Sequence, residues 1–286
     1  MNNFPTVNLP PQPQYQQVAP QQPVSALSAI GPTKHQSPPR IVLHGPEKVG
    51  KSTFFVGAPN PIFIPTEDGL TGIEANAFPL CQSYNDIINC LSALCNEQHD
   101  YKTLVLDSAD WAETLIHKHV CGIQNVANIE KASGGYGKGY LDALNLWQNI
   151  VKALDYINKQ KGMIIGIICH SRVVSINDPL NEVYDSYQMK LHSPKSGNGS
   201  SELLREWADI LLFADTEKFT RKIDADGSKD DKRSRATGTG RRLLYTSPSP
   251  AYAAGNRYNL PPQLNLDWMD LQSALTGTAT NNTQKV

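Results

Sequence analysis

From Gly45 to Ser52 the chain reads Gly-Pro-Glu-Lys-Val-Gly-Lys-Ser, which fits G-x-x-x-x-G-K-[ST] without departure. Each residue type has a task in holding a triphosphate. The glycines let the backbone wrap closely around a phosphate, and successive N–H groups then point inward. A helix starting at the lysine adds the positive end of its dipole. Lys51 is placed to reach the β- and γ-phosphates, and Ser52 to hold Mg²⁺. Gly45, Pro46, Glu47, Lys48, Val49, Gly50, Lys51, Ser52 and Thr53 are therefore the expected nucleotide cradle. Leu104-Val-Leu-Asp107 ends an apolar run in an acid, so Asp107 is the expected second metal ligand, reaching across from a neighbouring strand. Ser108 follows it, not a glutamate, so a catalytic base must come from elsewhere. Phe63-Ile-Pro-Thr-Glu67-Asp68 places an acid at the end of another short strand, where Glu67 can polarise water toward the γ-phosphate. Asp68 is the alternative one position on. His170 closes the run Met163 to Cys169 and can sense the γ-phosphate, or simply be a hydrogen-bonded strand-end histidine.

These residues need a scaffold that brings strand ends together. Ile41 to His44, Ile62 to Ile64, Thr103 to Leu106, Met163 to Cys169 and Ile210 to Phe213 are short apolar runs that read as strands. Helical periods separate them. Tyr84, Ile87, Ile88, Leu91, Leu94 and Cys95 form one face, with Ser83 and Asp86 spaced as a capping box. Trp111 to Val120 and Leu141 to Ile157 form two more. Such alternation predicts an α/β fold, a mostly parallel sheet with helices on both faces. Lys218 to Ile223 and Arg242 to Thr246 predict an antiparallel edge joined by a charged loop.

Composition bounds the rest. The 286 residues carry 40% apolar and 19% charged side chains and a net charge of −1, which excludes a uniformly basic nucleic-acid coat. Any anionic partner must be met by a local patch. Lys218 to Arg242 supplies one, with nine Lys/Arg against four Asp/Glu; its net +5 leaves −6 for the remainder. This stretch can be a nucleic-acid stripe, a solvated hairpin tip, or the source of an arginine for a neighbour's nucleotide, with Arg241 and Arg242 the better candidates for that finger. No apolar run reaches the ~18–20 residues of a membrane helix, and the polar, proline-rich N-terminus is no signal peptide. Five cysteines without a C-x-x-C pair read as reduced thiols in a cytoplasmic protein. His117, His119 and Cys121 do not share one helix face, so a zinc site is not expected. Residues 1–39 hold nine Pro and seven Gln and predict a disordered arm. The domain is expected over 40–268, with a polar tail over 269–286.

The order of motifs resembles the RecA-type ATPase core. More closely, Gly45 to Ser52, Thr66-Glu-Asp-Gly69, Asp100-Tyr-Lys-Thr-Leu-Val-Leu-Asp107, Asp110-Trp-Ala-Glu113, Gly135-Tyr-Gly-Lys-Gly-Tyr140, Glu206-Trp-Ala-Asp209 and Arg241-Arg-Leu-Leu-Tyr-Thr246 resemble phage-encoded ATP-binding proteins of the AAA/RecA superfamily. That group includes minimal RecA-like recombinases that anneal single strands. The resemblance covers about residues 40 to 268 and implies ATP with Mg²⁺, single-stranded DNA, a homo-oligomeric ring or filament, and a partner single-stranded-DNA-binding protein. It also implies two DNA loops. By chain order the first is Gln124 to Gly139, where Tyr136 offers a stacking face and Lys138 a phosphate contact. The second is Ser171 to Ser200, structureless by pattern, with Lys190 and Lys195 in its basic half. Three readings stay open: a DNA-dependent recombination ATPase, a replication or helicase-loading factor, and a nucleotide-gated assembly module with little turnover. A guanine-specific switch is disfavoured, because Asn158-Lys-Gln-Lys161 lacks the acid that would read guanine.

Overall fold

The computed structural model describes residues 6, 7, 30, 37–222 and 234–277. Nearly all of the Pro/Gln-rich arm, and Lys229 to Arg233 of the charged hairpin, lie outside the described residues.

Among the described residues ten strands form the sheet: β1 (Arg40–Gly45), β2 (Pro61–Pro65), β3 (Asn76–Ala77), β4 (Thr103–Asp107), β5 (Ile164–Ile176), β6 (Tyr184–Met189), β7 (Ile210–Lys222), β8 (Ser234–Tyr245), β9 (Gly255–Asn256) and β10 (Gln263–Asn265). The strand order is β10-β8-β7-β1-β5-β4-β2-β3, with β6 paired to β5 and β9 to β7. From β7 through β3 every neighbour on this path is parallel. β8 and β10 add an antiparallel edge. The expected fold class thus holds.

The strands are apolar on both faces because helices cover both. Val42, Leu104, Leu106, Ile165 and Ile167 pack beneath α2 (Tyr84–Asn96), α3 (Ala109–Gln124) and α4 (Lys138–Lys161). Ile41, Leu43, Phe63, Val105 and Ile168 alternate with them and pack beneath α1 (Lys51–Val56) and α6 (Trp268–Leu275). A fully buried aromatic such as Phe55 in this second layer contributes roughly 1.5–3 kcal/mol. The Ser83 capping box forms: its hydroxyl accepts from the Asp86 N–H, and the Asp86 carboxylate accepts from the Ser83 N–H. Lys159 and Lys161 sit in the last turn of α4, where the dipole favours cations. Cys81, Cys90, Cys95 and Cys169 are buried free thiols. Among the described residues no helix is long and apolar enough to cross a membrane.

Two expectations need correction. A domain boundary at 268 cuts through α6, whose Leu271 is fully buried beside Trp268 and Phe54. The run Trp-Met-Asp-Leu-Gln-Ser-Ala-Leu places Trp268, Leu271 and Leu275 on one face, so this part of the polar tail completes the core. The segment 171–200 is not structureless. β5 runs on past His170 to Ile176, turns, and returns as β6, before α5 (Ser200–Trp207) begins.

Candidate nucleotide site and adjoining loops

The site lies where β1, β2 and β4 end, beside His170 in the middle of β5. β1 delivers the chain into the loop Gly45–Gly50, which opens α1 at Lys51. A Cβ on Gly45 would drive into the Ala214 carbonyl of β7, and Gly50 has φ +109, so both positions require glycine. Lys51 Nζ donates to the carbonyls of Gly45 (3.1 Å) and Pro46 (2.8 Å), inside the loop it serves. Burial holds its ammonium below the ordinary lysine range, against the opposing pull of Asp107.

Ser52 Oγ donates to Asp107 Oδ2 at 2.6 Å, so the two expected metal ligands are already neighbours. Asp107 is buried, and that burial raises its carboxyl to about 6, with the nearby Glu67 adding to the rise. A desolvated carboxylate beside a hydroxyl is a suitable oxygen pair for a hard divalent cation. The chain after Asp107 is pinned to the end of β2. Thr66 Oγ1 donates to the Ser108 carbonyl (2.7 Å) and accepts from the Ser108 N–H (2.8 Å).

Glu67 follows Thr66, and its Oε1 lies 3.9 Å from His170 Nδ1. Asp68 is exposed and accepts from the Thr71 hydroxyl at 3.1 Å within its own turn. The geometry therefore singles out Glu67 of the two acids. His170 is fixed from behind by Asp110, in the first turn of α3. Its N–H donates to Asp110 Oδ1 (3.0 Å) and its Nδ1 donates to Asp110 Oδ2 (3.0 Å). That hydrogen bond raises the His170 pKa despite burial. In return, burial alone would raise the Asp110 carboxyl, but the bonds from His170 outweigh it and the net shift is downward. One turn on, Glu113 accepts from the His192 N–H (2.9 Å) and from the Ser200 hydroxyl. Burial pushes its carboxyl up. Sequence reasoning quoted Asp110 and Glu113 only as part of a resemblance. Their signal was two acids three residues apart on an otherwise buried helix face directly after Asp107.

Arg242 does not stand apart from its own site. Its guanidinium lies against Gly50, near enough to block a side chain there. Beside it Thr53, Leu266, Asp267, Trp268 and Met269 line a cavity of about 180 Å³. Arg241 instead donates to Asn265 Oδ1 on β10 (3.1 Å).

The two expected DNA loops are adjacent. Tyr140, just beyond the first loop, stacks on His192 of the second with ring centroids 4.0 Å apart and planes 4° from parallel. Tyr136 is 99% exposed at φ 56, between glycines that also have positive φ. Lys138, Lys190 and Lys195 are exposed. Lys190 borders a cavity of about 330 Å³ with Asp110, Trp111, Glu113, Thr114 and His117. His117 meets Tyr140 edge-on, and His119 packs against Tyr84. Asn158 donates to the carbonyls of Pro38 (2.8 Å) and Met163 (2.9 Å), so it holds the core and reads no base.

No curated protein matches the chain. A crystal structure of the RadB recombinase is similar at a TM-score of 0.39 and 11% identity, over 73% of this chain and 80% of that one. A family model described as AAA domain, AAA_24, matches residues 37–258. That span runs from just before β1 through β8 and β9 and stops short of β10, and the chain therefore belongs to this AAA-domain family of P-loop nucleoside triphosphatases.

Proposed function

We propose that this chain is a Mg²⁺–ATP-dependent ATPase that binds single-stranded DNA and acts in phage DNA recombination, by strand annealing or exchange. One observation carries the ATPase reading: Ser52 in the first turn of α1, Glu67 just past β2, Asp107 at the end of β4 and His170 within β5 converge onto the mouth of a phosphate loop. Bound Mg²⁺ would neutralise phosphate charge and orient the γ-phosphoryl group. Ser52 Oγ and Asp107 are the oxygen donors that would hold it. Lys51 exchanges its bonds to the Gly45 and Pro46 carbonyls for phosphate oxygens. Glu67 takes the proton of the attacking water. Asp110 accepts the proton on Nδ1 of His170 and favours the doubly protonated ring, whose Nε2–H can then donate to a γ-phosphate oxygen. Arg242 serves its own chain's nucleotide in this reading, from its place over Gly50, and is not a finger for a neighbour.

DNA binding is supported by the exposed Tyr136 and Lys138 on one loop and Lys190 and Lys195 on the other, joined by the Tyr140–His192 stack. Copies assemble as a ring or filament along the strand, alongside a single-stranded-DNA-binding protein. The test is the ATPase rate with and without single-stranded DNA at two salt concentrations, for wild type and Glu67→Gln. DNA should stimulate the wild type, less so at high salt. The variant should keep ATP binding and lose hydrolysis. Hydrolysis without any response to DNA would remove the recombination reading and leave a helicase-loading or assembly role.

A further inference from the structure

The β5–β6 hairpin has a face that the nucleotide site does not use. Three cross-strand pairs compose it: Arg172 with Gln188, Val174 with Ser186, and Ile176 with Tyr184. These six side chains form one wall of a cavity of about 400 Å³. Arg205 of α5 and the strap from Pro248 to Ala254 form the others. Such a volume is within the usual range for a small-ligand or nucleotide site.

Its chemistry is one-sided. Arg172 and Arg205 both line it, and no Asp or Glu does among the described residues. Arg172 Nη2 donates to the Leu191 carbonyl at 2.9 Å, which fixes the guanidinium in place without neutralising it. Hydroxyls and an amide fill much of the remaining lining. Tyr252 adds an aromatic wall, held by stacking on Phe213 (centroids 4.9 Å, 15° between planes).

The walls are tied to one another and to the phosphate loop. The Tyr187 N–H donates to the Ala251 carbonyl (2.8 Å), and the Ala253 N–H to the Tyr187 carbonyl (3.0 Å), joining strap to hairpin. His44, the residue before Gly45, bonds to the Ala253 carbonyl through Nε2 (2.6 Å) and to Ser171 Oγ through Nδ1 (2.8 Å). The cavity is thus held in shape before any ligand arrives.

We propose that this cavity seats one phosphodiester-linked nucleotide of a single strand, with Arg172 and Arg205 on the phosphate oxygens and Tyr252 against the base. Two planar guanidiniums suit phosphate oxygens, and an aromatic ring accepts any base face. The proposal rests on the reading of the chain as a single-strand-binding ATPase, and adds Arg205 and Tyr252, which lie outside both expected loops, to Arg172 at the start of the second.

The test uses the full chain and a fluorescein-labelled oligothymidylate, followed by anisotropy over a salt series. Arg172→Gln with Arg205→Gln should weaken binding about tenfold or more, with the far-UV spectrum and melting temperature of the wild type. The slope of log K against log salt should fall by up to ~1.4, since each phosphate contact on a single strand carries about 0.7. Gln188→Glu, which brings a negative charge to the wall, should also weaken binding, whereas the double Arg→Lys variant should retain the slope. Wild-type affinity and slope in the glutamine double variant would overturn the proposal while leaving DNA binding intact. A wild type that binds no oligothymidylate would overturn the DNA reading itself and this cavity's role with it. Displacement of the oligonucleotide by thymidine monophosphate at equal concentration would make this a free-nucleotide site and overturn the strand assignment.

Discussion

His44 should make the fold sensitive to acid, by an amount the structure sets. Its ring has no solvent exposure and both nitrogens are engaged. A carbonyl can only accept, so Nε2 carries the proton toward Ala253 and Nδ1 accepts from the Ser171 hydroxyl. Protonating Nδ1 would break that bond and bury a charge, and burial accordingly pushes the pKa down to about 4 from an ordinary 6.5. Between these pH values the unfolded chain binds a proton that the folded chain refuses. Stability from this group is therefore complete above about pH 6.5 and lost as pH falls toward about 4. At about 1.4 kcal/mol per pH unit, the full loss is about 3 kcal/mol, and about 2 kcal/mol is gone by pH 5. His44→Gln cannot titrate. Urea unfolding at pH 7.5 and pH 5 should show the wild type losing about 2 kcal/mol more than the variant. Burial lowers His117 to about 4 as well, and Asp107, raised to about 6, runs in the opposite direction. Both are present in each protein and cancel in the difference. Equal losses in the two proteins would refute the argument.

Other outcomes follow from the same geometry. Lys51→Ala should abolish nucleotide turnover, because its buried ammonium is bonded to the loop's own carbonyls, whereas Lys48 is exposed; wild-type turnover would sink the ATPase reading. Asp110→Asn removes a charged acceptor worth about 1.5–3 kcal/mol from behind His170, so kcat should fall about 10–100-fold with KM little changed. A shift confined to KM would mean that Asp110 supports binding and not the γ-phosphate sensor. Leu271→Ala should cost about 2–5 kcal/mol in urea unfolding, since the side chain is fully buried. A loss under about 1 kcal/mol would show that α6 is dispensable to the core.

The parts of this architecture that were legible beforehand are those with a strong local signature. The phosphate loop declares itself by residue type and spacing, and β1, β2, β4 and the first half of β5 by apolar runs buried on both faces. Glu67 and His170 could be placed because each directly follows such a run. What escaped has mixed character. Arg172 to Ile176 and Tyr184 to Met189 alternate polar and apolar residues irregularly, and their pairing depends on a cavity wall that only the folded chain creates. α6 was hidden by its short length, since three apolar anchors within eight residues give a weak period beside a polar terminus. The place of Arg242 over its own Gly50 depends on the register of β8, which no local pattern sets.

The continuity of β5 has a mechanical consequence. The strand that carries His170 at the nucleotide site is also the first strand of the hairpin, with no loop between them. Six residues separate His170 from Ile176, an arm of about 20 Å at ~3.3 Å per residue. A tilt of about 10° at the His170 end would sweep the far end of that arm through about 3–4 Å. A stiff lever of this kind would turn a histidine contact made or broken at one end into a displacement of a few ångströms at the hairpin tip.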